Sequence, residues 1–496
     1  MSQTRPNKLV KPIGYVLSFT KTSTNTQNML SSITSQKHQI PKYFTISFNS
    51  NHNLTSNLEP FNPQKHANNH YTTQNWAKII STQITNCTNI HQLNQLYAHI
   101  IRTHILHIHN DPFYWNTIIR AYTRFNSTSK ALHVSIAMSR AGVHPDTYTL
   151  PAILKAVSQK TEVLIVRQLH TVAIKHGLVT NLYCESGFIN LYSKVGEFGD
   201  ARKVFDESPE RNIGSWNAVI SGLSQGGRAR EAVEVFLEMK RRGLEPDEVT
   251  MVSVISACGS LGDFGLGVQL HKCLFQAKGL GEPDVFTLSS LVDMYGKCGR
   301  MDLAYRVFER MSERNVSSWT SLIVGYATHG HVTDALECFR GMREAFVTPN
   351  SVTFVGVLSA CVHGGLVQEG RHYFNMMKNE YKIEPQLQHY GCMVDLLGRC
   401  GLLEEARKMV EEMPMEANVV IWGCLMGACE KYGDVKMGEW VAKHLQQMEP
   451  WNDGVYVVMS NIYASNGLWE DVGRMREIMK ERKLEKIPGY SLGAGV

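Results

Sequence analysis

The sequence predicts an all-α fold, a solenoid of helix-turn-helix repeats wound into a superhelix. One signal is a hexapeptide written three times: Tyr114-Trp115-Asn116-Thr117-Ile118-Ile119, Ser215-Trp216-Asn217-Ala218-Val219-Ile220 and Ser318-Trp319-Thr320-Ser321-Leu322-Ile323. A second is that other landmarks keep the same spacing. The tryptophans lie 101 and 103 residues apart, as do Pro145-Asp146, Pro246-Asp247 and Pro349-Asn350, and Tyr192 and Tyr295 are 103 apart. Several landmarks sharing one period mark a repeat protein. The third is helical periodicity within each unit: Trp216, Val219, Ile220 and Leu223 form one apolar stripe, and Ala232, Val233, Val235, Phe236 and Met239 form a second. At 496 residues a compact chain would hold about three domains of ~150 residues. A solenoid grows in one dimension and needs no single core.

The elements follow in chain order. Residues 1–70 are rich in Ser, Thr, Asn and Gln and carry Arg5, Lys8, Lys11, Lys21, Lys37 and Lys42 with almost no acid. This is the composition of a disordered organellar transit segment; a plain disordered leader is the alternative. The basic residues tilt the address to the mitochondrion, with the chloroplast as the other choice. Residues 71–111 read as a degenerate repeat, in which Ala98-His99-Ile100-Ile101 echoes the later His170-Thr171-Val172-Ala173-Ile174. Nine motifs then fill 112–418, in three rounds of 35, 35–37 and 31–32 residues. In 213–247, Gly226-Gly227 breaks the first helix, and Gly243 with Pro246 ends the second. An early position of the second helix is always small: Ala131, Ala201, Ala232, Ala304, Ala335 and Ala406, with Gly267 and Gly370 in middle motifs. A small residue lets paired helices approach closely, and a bulky one should overpack them at ~1–3 kcal/mol. Met138, Met239 and Met342 share one core position. From Val419 the register changes: 419–452 and 453–491 each read as another helix pair, and 492–496 is a tail.

Charge is uneven. Residues 1–110 hold nine Lys/Arg against the single acid Glu59, so the net +5 belongs to the front segment and the repeats sit near −3. If the repeats bind RNA, they must do so through a local stripe rather than a global field. The eleven cysteines include no Cys-x-x-Cys pair, which argues against a zinc site or a disulfide scaffold. Cys258, Cys298, Cys361 and Cys400 read as core packing. No apolar run reaches the ~18 residues of a membrane helix, so no membrane partner is expected.

Residues 112–491 resemble the pentatricopeptide-repeat family of plant organelles. The likeness is to the subgroup whose P, L and S motifs alternate at about these lengths. Ser312-Glu313-Arg314-Asn315 and Met393-Val394-Asp395-Leu396-Leu397-Gly398-Arg399 match its short motifs, and the two closing pairs resemble its E1 and E2 extensions. The resemblance implies a right-handed superhelical α-solenoid that binds organellar single-stranded RNA by sequence. It also implies that the fifth and last residues of each motif read one base. Carried over, the pairs are Asn116/Asp146, Asn217/Asp247 and Thr320/Asn350 in the long motifs, and Ser186/Asn212 and Ser289/Asn315 in the short ones. Short amides, hydroxyls and carboxylates suit a base edge, and helical repeats can meet one base each. By the family code Asn/Asp favours U, while Thr/Asn and Ser/Asn favour A, giving 5′-U-x-A-U-x-A-A-x-x-3′. Pro151/Asn181, Val252/Asp284, Val355/Gln386 and Gly391/Asn418 should discriminate weakly, because their fifth positions offer no side-chain hydrogen bond. Asn and Asp are also ordinary helix caps, so the last positions carry that reading as well.

No catalytic residue, metal ligand or cofactor is expected. The deaminase of this pathway needs His-x-Glu and Pro-Cys-x-x-Cys, and the sequence contains neither. Asp263-Phe264-Gly265 lacks the companions of a kinase triad and reads as a turn. His363, His372 and His389 read as surface or satisfied core residues. The expected role is site recognition for C-to-U editing, with a deaminase recruited in trans through 419–491. Ser491-Leu492-Gly493-Ala494-Gly495-Val496 replaces the usual aromatic-acidic stretch, so a bridging editing factor is the alternative partner. Two rival roles share the architecture: an RNA-binding factor for splicing or stability, and a protein-binding scaffold with apolar residues on its concave face.

Overall fold

The computed structural model describes residues 81–102, 111–158, 162–209, 211–276 and 283–482, all within one compact unit, Thr73–Val496. The leader 1–70 and the closing residues 483–496 fall outside the described residues. Among the described residues every regular element is helical, and no strand occurs.

Helices alternate as first and second members of antiparallel pairs. The first members are Pro112–Arg124, Thr149–Val157, Leu182–Lys194, Ile213–Gln225, Glu248–Leu261, Val285–Lys297, Val316–Thr328, Ser351–Gly364, Leu387–Arg399, Val419–Tyr432 and Asp453–Ser465. Each packs on the first helix of the next pair. Second helices lie against their own first helix and the one that follows, with little contact among themselves. A row of pairs that is tight along one side and open along the other bends towards the tight side. The first helices therefore line the inner face, as in solenoids generally.

The sequence stripes explain the packing. Trp216, Val219, Ile220 and Leu223 are buried, as are Ala232, Val233, Val235, Phe236 and Met239. Ala131, Ala232, Ala304, Ala335 and Ala406 are fully buried, and a Cβ on Gly267 or Gly370 would stand 2.4 Å from Met294 Sδ or Leu396 Cδ2. Met138, Met239 and Met342 have no exposed surface. Where a short motif meets a long one, Phe205 meets Trp216 edge-on at 4.8 Å between ring centres, and Phe308 meets Trp319 at 4.6 Å. The guanidinium carbons of Arg211 and Arg314 stack 4.6 Å from the same phenylalanines. Cys258 and Cys361 are buried and Cys298 half-buried, but Cys400 is exposed. The expectation of a core role fails at Cys400: like Cys298 it is the cap residue after a first helix, but it lies exposed, its Sγ 3.7 Å from Gly365 O of the preceding repeat. The expected turn at Asp263-Phe264-Gly265 is narrower than predicted: Gly262 ends one helix, Asp263 stands before the next and accepts from Leu266 N, and Phe264 and Gly265 already belong to the helix Phe264–Gln276. His389 is buried with both nitrogens bonded, to Gln386 N and Ser351 O.

The last carbonyls of a first helix are closed by the following repeat. Arg124 donates to Ile84 O, Thr85 O and Cys87 O at 3.0–3.2 Å. His329 reaches Gly296 O at 2.7 Å, Lys431 and Tyr432 reach Arg399 O at 2.9 and 2.7 Å, and Asn466 reaches Gly433 O at 3.0 Å. These bonds satisfy acceptors that the helix cannot satisfy itself.

Two features give stability predictions. Phe346 holds φ at +55° with 94% of its surface exposed, whereas the same motif place holds Gly142 at +78° and Gly243 at +74°. A left-handed backbone costs an L-residue roughly 1–2 kcal/mol, and little phenyl packing offsets it. Phe346→Gly should raise stability by about 0.5–1 kcal/mol after the entropy of an added glycine, read as a higher urea midpoint. The other feature is a pair that occurs twice, a half-buried histidine on a buried tyrosine: His170 Nδ1 with Tyr192 Oη at 3.0 Å and His271 Nδ1 with Tyr295 Oη at 2.7 Å. Burial pushes both imidazoles below their ordinary range; Glu207 and Asp200 oppose this at His170, and Arg310 reinforces it at His271. The unfolded chain then takes these protons first as pH falls. The stability these pairs contribute is present above the unfolded pKa of about 6.5 and is lost below it. Thermal unfolding between roughly pH 7.5 and 5 should show a steeper decline for the unmodified chain than for His170→Gln/His271→Gln.

Candidate nucleic-acid interface

The last residue of one motif is the cap of the next motif's first helix, which fixes its place on the inner face. Asn212 Oδ1 accepts from Ser215 N at 2.8 Å, Asn315 Oδ1 from Ser318 N at 2.9 Å, and Asp247 and Asn350 form capping boxes with Thr250 and Thr353. Asn181, Asp284 and Asn418 cap in the same way. Capping and base reading are therefore not exclusive. The cap engages Oδ1 and leaves the Nδ2 donors of Asn212, Asn315 and Asn350 uncommitted among the described residues.

The fifth residue lies one turn into the first helix and meets that cap. Asn116 Nδ2 donates to Asp146 Oδ1 and Oδ2 at 3.1 and 3.3 Å, and Asn217 Nδ2 to Asp247 Oδ1 and Oδ2 at 3.0 and 2.8 Å. Ser289 Oγ lies 3.3 Å from Asn315 Oδ1. Thr320 Oγ1 lies 2.7 Å from Thr353 Oγ1, which donates to Asn350 Oδ1 at 3.0 Å and accepts from Asn350 N at 3.2 Å. Ser186 instead bonds its own helix at Leu182 O, 3.0 Å away. Burial pushes the Asp146 carboxyl up, but bonds from the Thr149 hydroxyl and backbone, Tyr148 N and Asn116 outweigh it and hold the group below its ordinary range. Asp146 is thus an anion poised to accept.

The structure brings five predicted pairs to one face, though not equally open. Asn116, Ser289 and Thr320 are buried, while Ser186 and Asn217 are half-buried. Asn116 Oδ1 is buried with no hydrogen bond among the described residues, whereas Asn217 Oδ1 accepts from Thr250 Oγ1. Pro151, Val252 and Val355 present no polar side-chain atom at the equivalent place, and a Cβ on Gly391 would meet only Ile421. Pro151, Ser186 and Asn217 line a single pocket of about 410 Å³ with Tyr183, Val249, Lys155 and Lys194.

That pocket shows what sequence reasoning missed. The second residue of most motifs is a large apolar side chain held in solvent: Phe113, Tyr148, Tyr183, Val249, Phe286 and Val352 are 45% to 75% exposed. Their signal was present as an apolar residue directly after six of the nine motif starts. A helical stripe would assign such residues to the core, and here they stand outside it. Gly214, Ser317 and Gln388 are the departures. Where they occur, flat or branched apolar groups near a polar pair offer a base a face to stack on and an edge to bond.

Family comparisons agree with this geometry. The PPR repeat family model matches residues 211–260 and 314–363, PPR repeat models match 186–213, 281–312, 352–381 and 389–416, and an E motif model matches 432–492. A mitochondrial pentatricopeptide repeat-containing protein of Arabidopsis thaliana is 54% identical over 452 residues, covering 90% of this chain and 95% of that protein. Another from the same plant, labelled chloroplastic/mitochondrial, is 37% identical and covers 88% of this chain and 75% of its own length. The crystal structure of the pentatricopeptide repeat protein PPR10 in complex with an 18-nt psaJ RNA element is similar in fold, with a TM-score of 0.57 at 16% identity. That match covers 82% of this chain and 65% of PPR10. With motif models along its repeats and a relative this similar over nearly its whole length, the chain belongs to the pentatricopeptide repeat family.

Proposed function

We propose that this protein binds single-stranded organellar RNA by sequence and marks a site for C-to-U editing, with a deaminase recruited in trans through 419–491. The observation that carries the reading is the set of groups on the inner face: fifth-position polar side chains, most of them meeting the following cap directly or through its threonine, with an exposed apolar side chain at the second residue of six motifs. Exposed apolar residues alone would also suit a protein-binding scaffold. Their recurrence at the second residue of six of the nine motifs, near hydrogen-bonding pairs, fits stacked bases better. The name of the 54%-identical relative supports the mitochondrion as the compartment, with the chloroplast as the alternative. The E-motif match at 432–492 supports a recruiting role for the closing helix pairs, directly or through a bridging factor.

Sequencing organellar transcripts from plants lacking the protein tests this. Loss of one or a few C-to-U events is the expected result. Normal editing with unspliced or unstable transcripts would instead assign it to splicing or stability. A chain lacking 419–496 should then still complement, which it should not do under the editing role.

A further inference from the structure

Four cations of the first three motifs sit at the ninth or thirteenth residue, on the first helices that form the inner face: Arg120, Arg124, Lys155 and Lys194. Lys155 and Lys194 line the same pocket as Ser186 and Asn217. Arg120 stands 5.9 Å over the exposed ring of Tyr148. Arg124 is committed to three backbone carbonyls. The other three have no carboxylate partner among the described residues; Lys194 makes only a 3.4 Å contact to Ser158 O.

The later motifs repeat the cation and cancel it. Lys297 and Arg399 occupy the place of Lys194, but an aspartate stands four residues earlier, where the first short motif has Asn190. Lys297 Nζ lies 2.7 Å from Asp293 Oδ2, and Arg399 Nε 2.8 Å from Asp395 Oδ1. No other Lys or Arg stands at these two places in the second and third triplets. Lys431 does so just beyond the ninth motif and donates to Arg399 O. Within the reading motifs, the inner face is thus cationic over the first triplet and neutral over the rest. The repeats' charge near −3 leaves no background field to replace it.

We propose that the protein grips the RNA sugar-phosphate backbone at its first triplet, through Arg120, Lys155 and Lys194, and that Asp293 and Asp395 hold the matching cations of the later triplets out of that contact. The inference rests on the RNA-binding reading above and adds where the phosphate contacts lie. Binding over the later motifs then depends on stacking and base edges, which respond little to salt, while the first triplet supplies the counterion-release term.

The test is the dissociation constant of the full chain for the 5′-U-x-A-U-x-A-A-x-x-3′ RNA and for a poly-uridine of equal length, measured across roughly 50–200 mM salt. Each phosphate contact on a single strand contributes about 0.7 to the slope of log K against log salt. Arg120→Ala/Lys155→Ala/Lys194→Ala should flatten that slope by about 2 on both RNAs. Binding should also become roughly fifteen-fold less sensitive to salt over that range. Lys297→Ala/Arg399→Ala should leave the slope unchanged, and Asp293→Asn/Asp395→Asn should steepen it by about 1.4 as two cations are released. Circular dichroism of each variant establishes that the helices are intact. If the later pair flattens the slope as much as the first set, or the aspartate variants do not steepen it, the inference is overturned while RNA binding stands. If the unmodified chain binds neither RNA, the RNA-binding reading fails first.

Discussion

Exchanging A and U throughout 5′-U-x-A-U-x-A-A-x-x-3′ is expected to weaken binding by about a hundredfold or more. The reason lies in how the reading side chains are held. Asn116 and Asn217 are fixed by two contacts each to Asp146 and Asp247, and those carboxylates are fixed in turn by the helix they cap. A held pair cannot turn its donors and acceptors to suit the wrong base edge. A mismatch leaves a buried polar group unpaired, which costs about 1–3 kcal/mol. Five read positions make a few kcal/mol in total even if each contributes at the low end. The reciprocal test alters the protein: Asn116→Thr with Asp146→Asn should move the first preference from U to A without changing the others. Electrophoretic mobility shifts on paired RNAs would decide it, and affinities equal within roughly threefold for the two sequences would remove the assignment.

Trp216→Ala should destabilise the junction it fills by about 3–5 kcal/mol. Trp216 is fully buried, meets Phe205 edge-on, and carries Arg242 5.4 Å over its ring. Its Nε1 has no hydrogen-bond partner among the described residues, so the loss is one of packing. In a solenoid each repeat is held by its neighbours alone. Weakening one junction should therefore split unfolding between the repeats before residue 213 and those after it. Urea denaturation should show two transitions where the unmodified chain shows one, and Trp216→Phe should restore most of the coupling. One unshifted transition for Trp216→Ala would show that the stack does not hold the junction.

The fold was legible because its determinants are local and repeated. Trp216, Ala232 and Gly243 recur at fixed spacing, and each has a steric reason to do so. That Asn116 and Asp146 belong together was legible only through likeness to a family, since spacing alone cannot say that one meets the other thirty residues away. Two things were not legible. Tyr183 and Phe286 look like core residues in a helical stripe, and only the turn of the first helix puts them in solvent. Cys400 looked like another small core residue because it shares its motif place with Cys298, and only the packing of each cap separates the half-buried thiol from the exposed one. Neutralisation of Lys297 by Asp293 was available in the sequence as a four-residue spacing. Its meaning depended on knowing that this face is the inner one.

The carbonyls closed by a following repeat give the array a direction in how it frays. When one repeat opens, the helix before it is left with bare acceptors, as Arg399 O would be without Lys431 and Tyr432; the helix after it keeps its own. Disorder should then travel towards lower residue numbers. Amide exchange after a local lesion should spread upstream of the damage and leave the downstream side protected.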